Sequence, residues 1–266
     1  MSPSRLRLAT FNILHGLSLH DGKVLPERLA EACTALDADV LCLQEVDRFQ
    51  ARSYGADQSR AVAERMGARW WRFEPAIIGE PGAVWRAAVD ADSDQFAAPT
   101  PGYGVALFSR LEVSSWRVVR LPAAPVRAPV YVPGAKGRFI VLADEPRVGL
   151  VAMIKGPSGL LAVACTHLSF VPAWNARQLR QLIASMAGSA IVAGDLNLPG
   201  SPVRLVARAA GWRSLARGAT FPAGQPRLQI DHVLARGRVG SVGSVSTPLM
   251  TLSDHRALVV DLMFDD

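Results

Sequence analysis

Lysine is nearly missing from this 266-residue chain: Lys23, Lys136 and Lys155 stand alone, and arginine carries almost all of the positive charge behind a net +6. No basic tract stands out, so there is no charged tail of the kind that grips a polyanion by itself. The arginines are spread along the chain, which suits either plain solubility or a surface that contacts phosphate through guanidinium forks. Cysteine is equally sparse. Cys33, Cys42 and Cys165 are odd in number, form no CxxC pair and each sit in an apolar segment. That excludes a disulfide framework and argues against a thiolate zinc site, leaving buried free thiols as the expectation. No apolar run of about 18 residues is present, so no membrane-crossing helix is expected. Residues 1–7 lack the apolar core of a signal peptide, and the chain reads as cytoplasmic and unprocessed. With 50% hydrophobic residues, no repeat and no linker, residues 1–266 read as one α/β domain.

What is present is a series of apolar runs that end in polar residues. Residues 6–13 alternate as a strand, and residues 26–36 follow as a helix with proline in its first turn and Leu29, Ala32, Cys33 and Leu36 on one face. Residues 39–43 are a second strand, 57–66 a helix closed by Gly67, and 68–78 an aromatic-rich strand. Residues 79–102 have no period and read as a long loop. Strands are expected at 103–109 and 113–121. Residues 122–146 form a second irregular stretch with room for a hairpin around Gly134. Residues 147–154 and 160–166 flank Gly156-Pro-Ser-Gly159 as a hairpin, and 172–187 and 202–210 read as helices. A strand from about residue 229 and a closing strand at 257–262 complete the chain.

The strand ends carry the chemistry. Asn12 closes the first run and Glu45 follows the second, where a carboxylate after a buried strand needs a partner or a cation. Arg48 either pairs with Asp47 or faces a phosphate. His167 ends a strand. Asp195 and Asn197, two apart in Gly-Asp-Leu-Asn, point to one side of an extended backbone. Asp231 begins a strand, and Asp254 with His255 precedes the last one. Carboxylates and histidines in this number suit a hard cation and an anionic substrate, with an Asp–His pair to activate water.

The ordered set Thr-Phe-Asn12, Leu-Gln-Glu45, Gly-Tyr-Gly-Val-Ala-Leu-Phe-Ser-Arg110, Thr-His167-Leu, Gly-Asp195-Leu-Asn197, Ile-Asp231-His and Ser-Asp254-His255 resembles the endonuclease/exonuclease/phosphatase superfamily, over residues 6–262. The resemblance implies a four-layered α/β sandwich, two mixed β-sheets packed face to face with helices outside. It implies a hydrolase of phosphate esters dependent on Mg2+, with Mn2+ or Ca2+ as substitutes. It makes Glu45 the main metal ligand with Asn12 and Asp254 nearby, and His255 the catalytic histidine polarised by Asp231. It assigns Asp195 to the attacking water, and Asn197 and His167 to the scissile phosphate. Asp47-Arg48 and His167 stand where the AP-endonuclease branch usually has a lysine and a tyrosine. That favours the deoxyribonuclease I, sphingomyelinase and phosphatase side.

Two substrate classes follow. One is a nucleic acid or nucleotide diester, consistent with the basic chain. The other is a smaller phosphoester, such as an inositol phosphate or a lipid head group. For that class the segments 79–102 and 122–146 would enclose the ligand, with Trp85, Phe96, Tyr131 and Phe139 against its apolar part. A non-catalytic scaffold is the least favoured reading, since every motif residue is present.

Overall fold

The computed structural model describes residues 4–93, 99–132 and 138–264; for 4, 129–132, 138–140 and 142 this extends to the backbone alone. The chain opens with strand β1 (Ser4–Asn12), crosses through helix α1 (Pro26–Ala35) and returns as β2 (Val40–Arg48). β1 and β2 are parallel neighbours, with Asn12 opposite Gln44. The same unit recurs later. After α2 (Gln58–Met66), β3 (Trp70–Gly79), β4 (Trp85–Ala87), β5 (Gly102–Ser109), β6 (Val113–Leu121), β7 (Arg127–Val132), β8 (Arg138–Ala143) and β9 (Arg147–Gly156) comes β10 (Gly159–His167). It crosses through α3 (Trp174–Ala184) to a parallel β11 (Ala190–Asp195), with His167 opposite Asp195. The remaining elements are α4 (Gly200–Ala209), β12 (Arg213–Ser214), β13 (Asp231–Arg236), β14 (Ser241–Ser246) and β15 (Leu258–Phe264).

The strands form two mixed sheets. One has seven strands in the order β14-β15-β1-β2-β5-β3-β4, and the other six in the order β12-β13-β11-β10-β9-β6. Each contains one parallel pair, and every other pairing is antiparallel. Three apolar clusters define four layers. Leu6, Leu8, Val40 and Cys42 meet Leu150, Val163, Ile191 and Val233 between the sheets. Leu29, Cys33, Val62 and Met66 of α1 and α2 cover the outer face of the first sheet. Leu179, Leu182, Val203 and Val206 of α3 and α4 cover the second. This is the expected sandwich, and it is why the strands read as continuous apolar runs: both faces are buried. The three cysteines are free and buried, as their apolar surroundings suggested.

The departures from the sequence reading have local causes. Residues 79–102 are not a plain loop. The short edge strand β4 pairs with Ile77–Gly79, and a single 3-10 turn at Asp90–Ser93 follows. Arg86 clamps that turn through two hydrogen bonds of 2.7 Å to Asp92. Its end is tied to the core by Ser93, which donates to buried Glu74 at 2.6 Å. Glu74 also meets Arg120 of the opposite sheet at 2.6 Å, so one buried carboxylate joins both sheets to the turn. Residues 122–146 do hold a hairpin, the isolated pair β7–β8, although Gly134 lies outside the described residues. β14 escaped notice because a bulge between Val242 and Ser244 breaks its alternation. Among the described residues no helix is long and apolar enough to cross a membrane.

Candidate active site

The two parallel pairs bring their carboxyl ends to the same edge of the sandwich, where ligands of open α/β sheets collect. Asn12 and Glu45 come from the first sheet. His167 and Asp195 come from the second, and Asp231 stands beside Asp195 in the antiparallel register of β11 and β13. The loop before β15 adds Asp254 and His255. Asn12 joins the sheets: its amide donates to Glu45 Oε1 at 2.9 Å and to Asp195 Oδ2 at 3.0 Å.

Backbone geometry aims these side chains. Glu45 has φ +56° at a bulge where β2 carries one residue more than β5. A bulge of this kind turns one side chain out of the pleat, here towards the cavity. On its other side β5 is tightly held too: a Cβ on Gly104 would stand 2.1 Å from the Glu74 carbonyl oxygen of β3, so only glycine lets β3 approach here. Before Asp195 stands Gly194, where a Cβ would lie 1.9 Å from the Thr166 carbonyl oxygen; only glycine lets β11 run this close to β10. The motif residues that do not face the cavity hold the strands in place. Gln44 donates to Thr10 at 3.0 Å inside the core. Ser253 donates to the Asn12 carbonyl at 2.6 Å and accepts from the His255 backbone at 3.0 Å, fixing the last loop to the first strand. His232 is satisfied by the Leu198 carbonyl at 2.9 Å and is structural.

His255 lies with Nδ1 2.9 Å from Asp231 and Nε2 3.8 Å from Asp195. Burial opposes charge on this ring, but Asp231, then Asp195 and Asp254, outweigh it and raise the imidazole to about 10. Asp195 moves up to about 7 because it is buried and faces Asp231, with His255 pulling the other way. His167 goes in the opposite direction. Burial, reinforced by Arg147 and His255, pushes it well below the usual histidine range, so it is neutral at pH 7. Its Nε2 lies 3.1 Å from the Asn197 amide and 3.6 Å from Asp195. Asn197 also donates to the Leu168 carbonyl at 2.9 Å, and Asn175 holds the Asn197 carbonyl at 2.8 Å.

The donors fit a hard divalent cation. Burial and the neighbouring Asp254 raise Glu45, and burial raises Asp254, in each case against the pull of His255, so the two carboxylates are held above their ordinary range and a hard cation would relieve them. Glu45 Oε2 accepts no hydrogen bond among the described residues. Asn12 has its oxygen on the Leu14 backbone at 3.1 Å and its amide on two carboxylates, so here it orients Glu45 and Asp195. Asp195, Asp231 and His255 also offer ligand atoms within 4.8 Å of one another. The short Asp231–His255 hydrogen bond marks that trio for handling protons.

Glu45, His167, Asp195, Asn197, Asp254 and His255 border a cavity of about 440 Å3, with Trp85, Phe170 and Phe221 on its walls; Asn12 and Asp231 stand behind them. Trp85 is thus placed where the sequence suggested. Phe96 lies outside the described residues, as do the side chains of Tyr131 and Phe139. Arg48 is corrected in one respect. It does not pair with Asp47, because adjacent residues of a strand face opposite sides. Asp47 pairs with Arg52 at 2.7 Å and Arg48 with Asp57 at 3.3 Å, its guanidinium over Phe49. Arg48 is not among the described residues lining the cavity. Tyr103, Glu145 and Arg147 line it and were missed: Tyr103 and Arg147 open strands expected from the sequence, but neither follows an apolar run as the other site residues do.

Comparison with known proteins agrees with this geometry. The family model described as the Endonuclease/Exonuclease/phosphatase family matches residues 9–255. No curated protein matches the chain. Among solved structures, an endonuclease/exonuclease/phosphatase from Beutenbergia cavernae is 22% identical, with TM-score 0.68, covering 98% of this chain and 72% of that one. One from Bacteroides vulgatus is 18% identical, with TM-score 0.66, covering 98% of this chain and all of the other (100%). TDP2 from D. rerio, solved with a single-strand DNA product, is 16% identical, with TM-score 0.64, covering 97% of this chain and 98% of that one. With the sandwich and the family model matching from the first strand to His255, the chain belongs to the endonuclease/exonuclease/phosphatase family.

Proposed function

We propose that this protein is a divalent-metal-dependent phosphodiesterase that cleaves a phosphate ester by in-line attack of water. The observation that carries the reading is the meeting of Glu45, Asp254, Asp195, His255 and His167 at one cavity, from both sheets. A hard cation such as Mg2+, held by Glu45 and Asp254, would set positive charge against the phosphoryl oxygens. Asp195 takes the proton of the attacking water as the water oxygen bonds to phosphorus and the ester P–O bond opposite it breaks, the leaving oxygen departing with a proton taken from solvent; the position of Asp195 near neutrality suits a base. Asp231 fixes the ring of His255, whose charge faces the growing charge on the phosphoryl group. Neutral His167 and the Asn197 amide contact a phosphoryl oxygen.

The substrate we favour is a nucleic-acid or nucleotide diester. TDP2, which shares the fold, was solved with a single-strand DNA product, and this chain is basic. One feature favours a compact ester instead: the cavity of about 440 Å3 is walled by aromatic side chains. A panel separates the two. Plasmid, single-stranded oligonucleotides, bis(p-nitrophenyl) phosphate, an inositol polyphosphate and a choline phospholipid are each incubated with Mg2+ and with EDTA. EDTA-sensitive cleavage of the oligonucleotides is expected. Cleavage confined to the inositol or choline ester would replace the substrate class, and no metal-dependent hydrolysis at all would remove the proposal.

A further inference from the structure

Two arginines that line the cavity are not used by the catalytic groups above, exposed Arg127 and buried Arg147. Arg147 opens β9, is 6% exposed, and lines the cavity with Glu45 and His167. Its charge acts on both, opposing the rise that burial causes in Glu45 and adding to the fall that burial causes in His167. Yet its guanidinium is poorly matched. Nε is buried with no hydrogen-bond partner. Its ion pair with Asp144 Oδ1 spans 4.0 Å, too long for a hydrogen bond. The other oxygen of Asp144 is taken by the Ala124 backbone at 2.7 Å and Ser169 at 2.8 Å.

Other arginines of the fold differ. Arg52 forms a two-pronged pair with buried Asp47 at 2.7 and 2.8 Å. Arg120, whose Nε is likewise buried without a hydrogen-bond partner, still reaches buried Glu74 through Nη2 at 2.6 Å. An arginine that only braced the Asp144 corner would be expected to reach its carboxylate as those do. A buried guanidinium short of acceptors is costly in a folded protein, and the cost is relieved when an anion with oxygen acceptors arrives. The planar fork matches two oxygens of one phosphoryl group.

We propose that Arg147 is the anion anchor of the cavity, binding non-bridging oxygens of the substrate's phosphoryl group beside Glu45 and His167. This rests on the phosphoester reading above and adds a binding residue to it.

The test uses inorganic phosphate as the probe, with EDTA present so that no metal contributes. Isothermal titration compares the wild type with Arg147→Met and Arg147→Gln, each checked by circular dichroism. The wild type binds phosphate, and both variants bind it at least about tenfold more weakly. In turnover of bis(p-nitrophenyl) phosphate, kcat/KM falls roughly a hundredfold while the Mg2+ concentration for half-activation does not rise. Wild-type phosphate affinity in either folded variant overturns the proposal, as does a wild type that binds no phosphate. Failure of both variants to fold makes Arg147 structural and overturns it too. Weakened phosphate binding in a protein that hydrolyses no phosphoester leaves the anchor standing and removes the hydrolase reading.

Discussion

Nδ1 of His255 lies 2.9 Å from Asp231, and this contact decides the charge of the ring. Asp231 is the largest influence holding the imidazole up at about 10 against its own burial. Asp231→Asn removes that influence. The pKa of His255, read by NMR titration, is expected to drop by several units, and turnover to fall roughly 10²- to 10⁴-fold. A variant whose His255 still titrates near 10 would show that Asp231 does not govern it.

The carboxylates make a pH prediction for the metal-free protein. Asp195 is raised from 3.8 to about 7, and Glu45 and Asp254 are also raised. A group with a raised folded pKa binds its proton more tightly when folded, so its stabilisation is complete below the unfolded pKa and is lost as pH climbs through the folded one. For Asp195 the window is from about 4 to about 7. Melting in EDTA should therefore show stability declining across that window from these groups. Mg2+ should raise the Tm more at pH 8 than at pH 5, because bound metal requires the deprotonated forms. An equal Mg2+ effect at both pH values would contradict the assignment.

Glu45→Gln keeps the shape of the side chain and removes its charge. The variant is expected to bind Mg2+ at least about tenfold more weakly by titration calorimetry. Its Tm in EDTA should match or exceed that of the wild type, since a buried acid has been neutralised. Wild-type Mg2+ affinity would move the metal away from Glu45.

Gly194→Ala tests how the backbone aims Asp195. The added Cβ would sit 1.9 Å from the Thr166 carbonyl, so β11 must shift away from β10. A stability loss on the order of 3 kcal/mol is expected in chemical denaturation, with loss of activity beyond the unfolded fraction. Unchanged stability would mean that the strands separate freely here.

Much of the site was legible because a polar residue after an apolar run is conspicuous. Asn12, His167 and Asp195 end strands, Asp231 opens one, the Asp254-His255 pair precedes one, and Glu45 follows the apolar run of β2, although β2 continues past it to Arg48. What was not legible depends on partners far along the chain. The bulge at Glu45 is defined only by the register of β2 against β5, a strand much further along, where Gln44 faces Val105 and Val46 faces Gly104. Arg147 follows a proline-rich stretch and is one arginine among many, so nothing local separates it from a surface residue. Arg48 finds Asp57 only because the chain turns back after Phe49, whose backbone N–H is bonded to the Ala56 carbonyl at 2.9 Å. β4 is not legible in the sequence because three residues at a sheet edge carry too short a pattern to see.

The most direct test of the account is hydrolysis of bis(p-nitrophenyl) phosphate by protein first stripped with EDTA, then titrated with Mg2+, with His255→Ala run beside the wild type. The account predicts turnover that appears only as Mg2+ is restored, and a His255→Ala protein that is folded by circular dichroism but inactive. Turnover that is indifferent to EDTA, or a His255→Ala protein as active as the wild type, would contradict it.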